Sequence, residues 1–232
     1  LILQHKINEN NRDMKITIIN GSPRKSGNTS KMCDSFARGI KEINPNAEIE
    51  SIFLYDLSFK GCISCFSCKL KGDISYGKCA LHDDLTSVLQ EASNSDILVL
   101  ASPIYLMDVS GEMKSFLERL CYSYGSYETG YRSLAPKKIK TVTIYTMNNL
   151  PEYAPNGAMD NIDMFVGHIF TPPTRICAYN TYQFRDYSKY VVEVFSESEK
   201  NGYKEKTFPK ELLTAFNIGK ELAYNFLNPN ID

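Results

Sequence analysis

The apolar run KITIIN at 15–20 leads without a break into GSPRKSGNTSKM, and the segment that follows carries apolar residues at helical spacing. A continuous aliphatic run of this length is the pattern of a strand buried on both faces of a parallel sheet. A parallel strand cannot reach its neighbour by a tight turn, so the chain must cross over, and a helix is the usual crossover. The opening therefore sets a strand–loop–helix unit with its loop at the carboxyl end of the strand. DILVLASPIY at 96–105 repeats the continuous pattern, and EIESIFLY at 48–55, KIKTVTIYT at 138–146 and TRICAY at 174–179 are weaker strand candidates. Between them, Met32, Phe36, Ile40 and Ile43 share one face of 28–43. Leu85, Val88, Leu89 and Ala92 do so in 84–94, and Met113, Phe116, Leu117 and Leu120 in 110–122. A less periodic helix is expected at about 157–169, and a last one from about Pro209, a residue welcome in a first helical turn, to Leu227. Five strands alternating with five helices predict an α/β fold: a three-layer, doubly wound, five-stranded parallel sheet of order 2-1-3-4-5, with ligands at the carboxyl ends of the strands.

A chain of 232 residues suits one domain of ordinary size. It is expected to span 14–232 and to carry two additions, a Cys-rich loop at 61–82 and an aromatic insertion at 179–208. Residues 1–13, LILQHKINENNRD, have no basic segment followed by an apolar one, and Met14 stands just before the first strand, so they are expected to form an N-terminal tail outside the fold. The formal net charge is -1 with Lys and Arg scattered, which argues against non-specific nucleic-acid binding. No apolar run approaches the roughly 20 residues of a membrane-spanning helix, so a soluble protein is expected. Seven cysteines, an odd number, with no secretion signal favour reduced thiols or metal ligands in a cytoplasmic setting.

In a doubly wound sheet the loops after the first, third and fourth strands meet at the switch point. The first offers Ser22, Ser26 and Thr29 hydroxyls, the N–H groups of a helix start and Arg24, a set suited to a phosphate. Gly21 and Gly27 match neither G-x-G-x-x-G nor G-x-x-x-x-G-K-[ST], so both nucleotide fingerprints fail. The alternative is a helix capped by Ser26 or Asn28 with no ligand at all. The second loop, SPIYLMDVSGEMKSFLER at 102–119, sets Ser102, Pro103, Ile104 and Tyr105 as a rigid, partly aromatic wall for a planar ring. The third, TMNNLPEYAPNG at 146–157, offers Asn148, Asn149 and backbone amides to polar ring edges.

These stretches, together with GCISCFSCK and GKCALHDDL, resemble the NAD(P)H-dependent FMN reductase branch of the flavodoxin-like proteins, over most of 15–227. The resemblance implies that Ser22, Arg24, Ser26, Asn28 and Thr29 hold the FMN phosphate and that Pro103, Ile104 and Tyr105 line the isoalloxazine. It also implies NAD(P)H as electron donor, a quinone, free flavin or other small electrophile as acceptor, and a homodimer or homotetramer whose neighbour helps close the flavin site. No acid–base pair is needed, and with three histidines none is evident.

Cys62, Cys65 and Cys68 stand at C-x-x-C-x-x-C spacing, with Cys79 after ten intervening residues. Thiolates so spaced can converge on a cluster or a zinc ion. The motif resembles that of the iron–sulfur flavoproteins, whose four-iron cluster lies beside FMN, but the spacer KLKGDISYGK is longer than theirs. Cluster, zinc, free thiols and redox disulfide all stay open. A cluster would make ferredoxin the donor, and a further alternative is a flavin-free module that senses oxidation through its thiols. Cys33, Cys121 and Cys177 sit inside helix or strand patterns and are expected in the core. Asp83 and Asp84 are expected to cap the helix that follows, with no catalytic role claimed for them or for His82. In 179–208, Tyr187, Tyr190, Val191, Val194 and Phe195 fall at helical spacing, and this aromatic surface is expected at a subunit interface, over a flavin, or against its own domain.

Overall fold

The computed structural model describes residues 14–229, so the expected tail at 1–13 lies outside the described residues. Six strands and six helices follow one another as β1 (Lys15–Asn20), α1 (Asn28–Ile43), β2 (Glu48–Phe53), α2 (Leu85–Asn94), β3 (Ile97–Tyr105), β4 (Asp108–Val109), α3 (Gly111–Tyr124), β5 (Lys140–Thr146), α4 (Asn156–Ile169), β6 (Thr174–Ala178), α5 (Glu197–Lys206) and α6 (Phe208–Leu227). The main sheet runs β2-β1-β3-β5-β6 and is parallel throughout, which is the expected 2-1-3-4-5 order once the short extra strand takes the number four. That extra strand is the first departure. β4 folds back antiparallel on the end of β3, pairing Ile104 with Val109 and Tyr105 with Asp108.

Side chains alternate across the pleat and so supply two cores. On one face Ile16, Ile18, Val99 and Ile144 pack under Met32, Phe36 and Ile40 of α1 and Ala215 and Ala223 of α6. On the other, Ile19, Leu98, Leu100 and Tyr145 pack under α2, α3 and α4 through Leu85, Phe116, Leu120, Ile162 and Val166. Three layers result, as expected. Cys33 is buried and Cys121 and Cys177 are partly buried against these cores, as expected of small apolar side chains. Burial pushes the Cys121 thiol up to about 12.

The aromatic insertion is the second departure. The residues at helical spacing form only a short 3-10 turn at Tyr187–Lys189, and the helix starts later, at Glu197, capped by Ser196 accepting from the Glu199 N–H. Val191, Val192 and Val194 are poor helix formers, and the rings bury against one another instead of lining one helix face. Phe184 stacks on Tyr190 at 4.1 Å between centroids, and Tyr187 meets Tyr182 at 4.8 Å and Phe184 at 5.0 Å. Of the two carboxylates before α2, Asp83 makes the expected capping bond and Asp84 does not. Asp84 occupies the cap position without a side-chain cap bond and accepts the Ser58 N–H at 2.7 Å. Asp83 accepts the Leu85 N–H at 3.1 Å and pairs with Arg119 at 2.5 Å. A buried guanidinium is a stronger claim on Asp83 than a helix start is. Among the described residues no helix is long and apolar enough to cross a membrane.

Candidate functional site

Asn20, the last residue of β1, organises the first loop. Its side-chain oxygen accepts the Ser22 N–H at 2.9 Å and its amide donates to Ser30 Oγ at 3.1 Å, while Ser22 Oγ accepts the Arg24 N–H at 3.2 Å. Gly21 lies where the loop presses on the start of α3: its N–H reaches Ala101 O at 2.8 Å, and Ser110 Oγ donates to Gly21 O at 2.7 Å. A Cβ at this position would come within 2.9 Å of both Met113 Cβ and Ser110 Oγ, so the loop can approach α3 only with glycine here.

Helix α1 then begins with Gly27 at its cap position and no side chain capping it. The first bond of the helix runs from the Lys31 N–H to Gly27 O at 3.1 Å, so the N–H groups of Asn28, Thr29 and Ser30 have no acceptor within the helix. The ligand-free alternative, a cap from Ser26 or Asn28, is not what forms: Asn28 Nδ2 donates instead to Tyr182 O at 3.0 Å. An uncapped 16-residue helix carries its positive end into an open cleft, where its dipole and free N–H groups favour negative charge. Arg24, Ser26 and Asn28 line this cleft of about 860 Å³. Ser22 and Thr29 lie beneath the loop, 4% and 2% exposed, and Thr29 Oγ1 is 2.7 Å from Thr146 Oγ1, tying α1 to the end of β5.

The end of β3 supplies the wall. Pro103 is buried, Ile104 is half-buried and Tyr105 is exposed. The hairpin into β4 turns at Leu106 and Met107, whose φ of 48° and 65° are left-handed for both. Such a turn ordinarily takes Asn and Gly, and holding bulky side chains in it costs on the order of 1–3 kcal/mol per residue. The strain sets Leu106 and Met107 out into solvent beside Tyr105. Asn149 of the third loop reaches over, its Nδ2 3.3 Å from Met107 Sδ and 3.0 Å from Tyr153 O. Asn148 turns the other way: its Oδ1 and its backbone oxygen both accept from Lys200 Nζ of α5. The structure thus brings Arg24, Ser26 and Asn28 to the cleft and Tyr105 and Asn149 to the second and third loops, with Ser22, Thr29 and Asn148 committed to the framework.

The Cys loop is a separate place. Positive φ at Ser64 (55°) and Phe66 (57°) curls the chain around Cys65, and Cys62, Cys65, Cys68 and Cys79 line one small cavity of about 20 Å³. Burial pushes the Cys68 thiol up, whereas the Ser67 backbone N–H and hydroxyl hold exposed Cys65 down. Arg119, whose side chain is 0% exposed, donates to Cys79 Sγ at 3.3 Å, to Lys60 O at 3.1 Å and to Leu81 O at 3.2 Å, besides its pair with Asp83. Burial alone would raise the Asp83 carboxyl, but the Arg119 bonds and charge outweigh it and hold it below the usual carboxylate range. Four thiols on one cavity have the donor chemistry of an iron–sulfur cluster. In the described conformation the cavity has room for about one water, so a cluster would require the loop to open. Among the described residues no three His, Cys, Asp or Glu side chains are arranged to hold a metal ion.

Several framework residues were not singled out from the sequence. Thr146 and Asn20 stood in the quoted loops, and their hydrogen-bonding type at the end of a buried strand was the available signal. Arg119 within SFLERL and Lys200 within SESEKNGYKEK look like solvated charges in sequence, and nothing there marks them as buried.

Residues 14–148 match the sequence model of the family described as NADPH-dependent FMN reductase. An iron–sulfur flavoprotein of Archaeoglobus fulgidus is 34% identical over 140 residues, 60% of this chain and 58% of that one. A second from the same organism is 34% identical over 160 residues, 68% of this chain and 72% of that one. The chain thus spans 58% of the first relative's length and 72% of the second's. Among solved structures, an NAD(P)H:quinone oxidoreductase from Methanothermobacter marburgensis superposes with a TM-score of 0.65 at 15% identity, covering 90% of this chain and 97% of that one. An FMN-dependent NADH-azoreductase from Bacillus anthracis, solved in complex with FMN, gives 0.58 at 15% identity over 92% and 99%. At such identities the structural likeness shows the shared α/β fold.

Proposed function

The chain belongs to the NADPH-dependent FMN reductase family, close to the iron–sulfur flavoproteins, and from that premise we propose that it is an FMN-dependent oxidoreductase, passing electrons from NAD(P)H through bound FMN to a small acceptor. The observation that carries this reading is the uncapped start of α1, opening with Arg24 on a cleft walled by the insertion that follows β6. The N–H groups of Asn28, Thr29 and Ser30 would hold the phosphate with Arg24, Ser26 and Asn28, on a floor set by Ser22 and Thr29. Pro103, Ile104 and Tyr105 would wall the ring, with the exposed side chains of Leu106 and Met107 keeping water from it, and Asn149 beside Asn148 would face its polar edge. When bound, FMN supplies the hydride and electron chemistry, and the protein's part is to position it and set its surroundings.

In this reading residues 14–232 form one FMN-binding domain, and the protein works in the cytoplasm, where its thiols stay reduced. The groove between α3 and α4, with exposed Met164 and Phe165 and with Tyr127 and Tyr131 on its rim, supports assembly as a homodimer or homotetramer. An anaerobic visible spectrum of the purified chain tests the reading. Flavin bands bleached by NADPH are expected, and a colourless chain, or flavin that NADPH leaves oxidised, would contradict it.

One observation favours a second reading. Four thiols share a cavity, and the relatives named above are iron–sulfur flavoproteins. With the Cys loop opened around a four-iron cluster, the chain would take single electrons from a ferredoxin. Iron and acid-labile sulfide at about four each per chain would establish it.

A further inference from the structure

Lys200 is a cation that the fold buries without a counter-charge. It is 1% exposed, its Nζ donates to Asn148 O at 2.9 Å and also to Asn148 Oδ1, and among the described residues no carboxylate pairs with it. Burying an unpaired charge is costly, and ionisable groups held in this way cluster at functional sites. Asn148 lies in the third loop, where three successive carbonyl oxygens are taken by the insertion: Met147 O accepts the Thr181 N–H at 3.0 Å, Asn148 O accepts from Lys200, and Asn149 O accepts the Asn180 N–H at 2.8 Å. In a planar trans peptide the N–H points opposite to the C=O. The N–H groups of Asn148, Asn149 and Leu150 therefore point away from the residues that hold these oxygens, and none of the three meets an acceptor among the described residues.

Successive N–H donors with a buried cation behind them favour negative charge in front of them. In the proposed function the group in front is the polar edge of the ring. A hydride carries two electrons and one proton, so its transfer from NAD(P)H, which becomes NAD(P)+, leaves one negative charge on the ring that receives it. We infer that Lys200 is a positioning residue of that reaction: it turns the Asn148–Asn149 peptide so that the Asn149 N–H faces the polar edge, and its charge makes bound FMN easier to reduce. The amine keeps that charge at pH 7, below the value of about 8 to which burial lowers it. In the low dielectric of the interior the charge also acts over a longer distance than it would through water. The inference rests on the FMN reading for the identity of the group that is reduced, whereas the burial of Lys200 and the turn of the loop do not depend on flavin.

The midpoint potential of FMN bound to the purified chain, to Lys200→Met and to Lys200→Gln, measured anaerobically at pH 7 against a reference dye, tests it. Both variants are expected to hold oxidised FMN and, relative to it, to bind reduced FMN at least about tenfold less tightly than the native chain does, which is a potential lower by about 30 mV for a two-electron couple. Lys200→Gln keeps a donor for Asn148 and so separates the charge from the hydrogen bond. The native potential retained in either variant, or variants that no longer hold oxidised FMN, would overturn the inference while the native flavin spectrum stands. A native chain that binds no FMN would remove the oxidoreductase reading and this inference together.

Discussion

Two buried cations help to fasten the additions to the body of the fold. Arg119 satisfies the irregular chain around Cys79 with one guanidinium, and Lys200 pins the aromatic insertion to Asn148 at the mouth of the candidate site. Lys200 is 1% exposed with no carboxylate against it among the described residues, its Nζ lying 4.7 Å from the centre of the Phe195 ring. Burial lowers its pKa to about 8. The unfolded chain therefore holds this proton more tightly than the native one does, so native stability rises with pH from about 8 towards the ordinary lysine value. Lys200→Met lacks this term. Thermal unfolding of both proteins is expected to show the native chain gaining on the variant between pH 8 and 10, and parallel curves would contradict the burial of a charged amine. The cradle residues were legible because Gly, Ser, Asn and Thr between a strand and a helix have few other uses. Lys200 was not, because a lysine among Glu and Ser is almost always in water.

Among the elements, the five long strands and their helices lie within about two residues of where apolar periodicity puts them, since each buries a face that must repeat with its own period. β4 and α5 escaped notice for physical reasons. A two-residue strand has no period to detect, and ESEKNGYKEK has no apolar face, its helix resting on the Ser196 cap and on Lys200. A close crossing of two helices is also hard to see in sequence. α1 and α6 cross at Gly39 and Gly219, where added Cβ atoms would lie 1.9 Å from Phe216 O and 2.3 Å from Phe36 O. Backbone cannot rotate away, so the helices would have to part. Gly219→Ala is expected to cost about 1–3 kcal/mol of stability in denaturant titration, despite alanine's higher helix propensity. Gly202→Ala, in α5 with open space around its Cβ position, is the control and is expected to be neutral or slightly stabilising. Equal effects at both sites would contradict the close crossing.

At the scale of the whole molecule, the fold brings three loops together at the carboxyl ends of β1, β3 and β5, and the insertion after β6 closes over the first of them. The topology was readable because crossover handedness and strand order leave few choices once the alternation is recognised. The placement of Ser22, Thr29 and Asn148 in the framework was not, because which hydroxyl or amide faces a cleft depends on partners such as Thr146 and Lys200 from distant parts of the chain. What unites the proposed site is the free positive end of α1, and in the proposed function it would hold a phosphate. The most direct measurement is therefore the affinity of the flavin-depleted chain for FMN against riboflavin, by quenching of flavin fluorescence, in the native protein and in Arg24→Ala. FMN is expected to bind at least about 100-fold tighter than riboflavin, with the margin narrowed about tenfold in the variant, as charge-assisted bonds to a phosphate require. Riboflavin bound as tightly as FMN, in either protein, would contradict it.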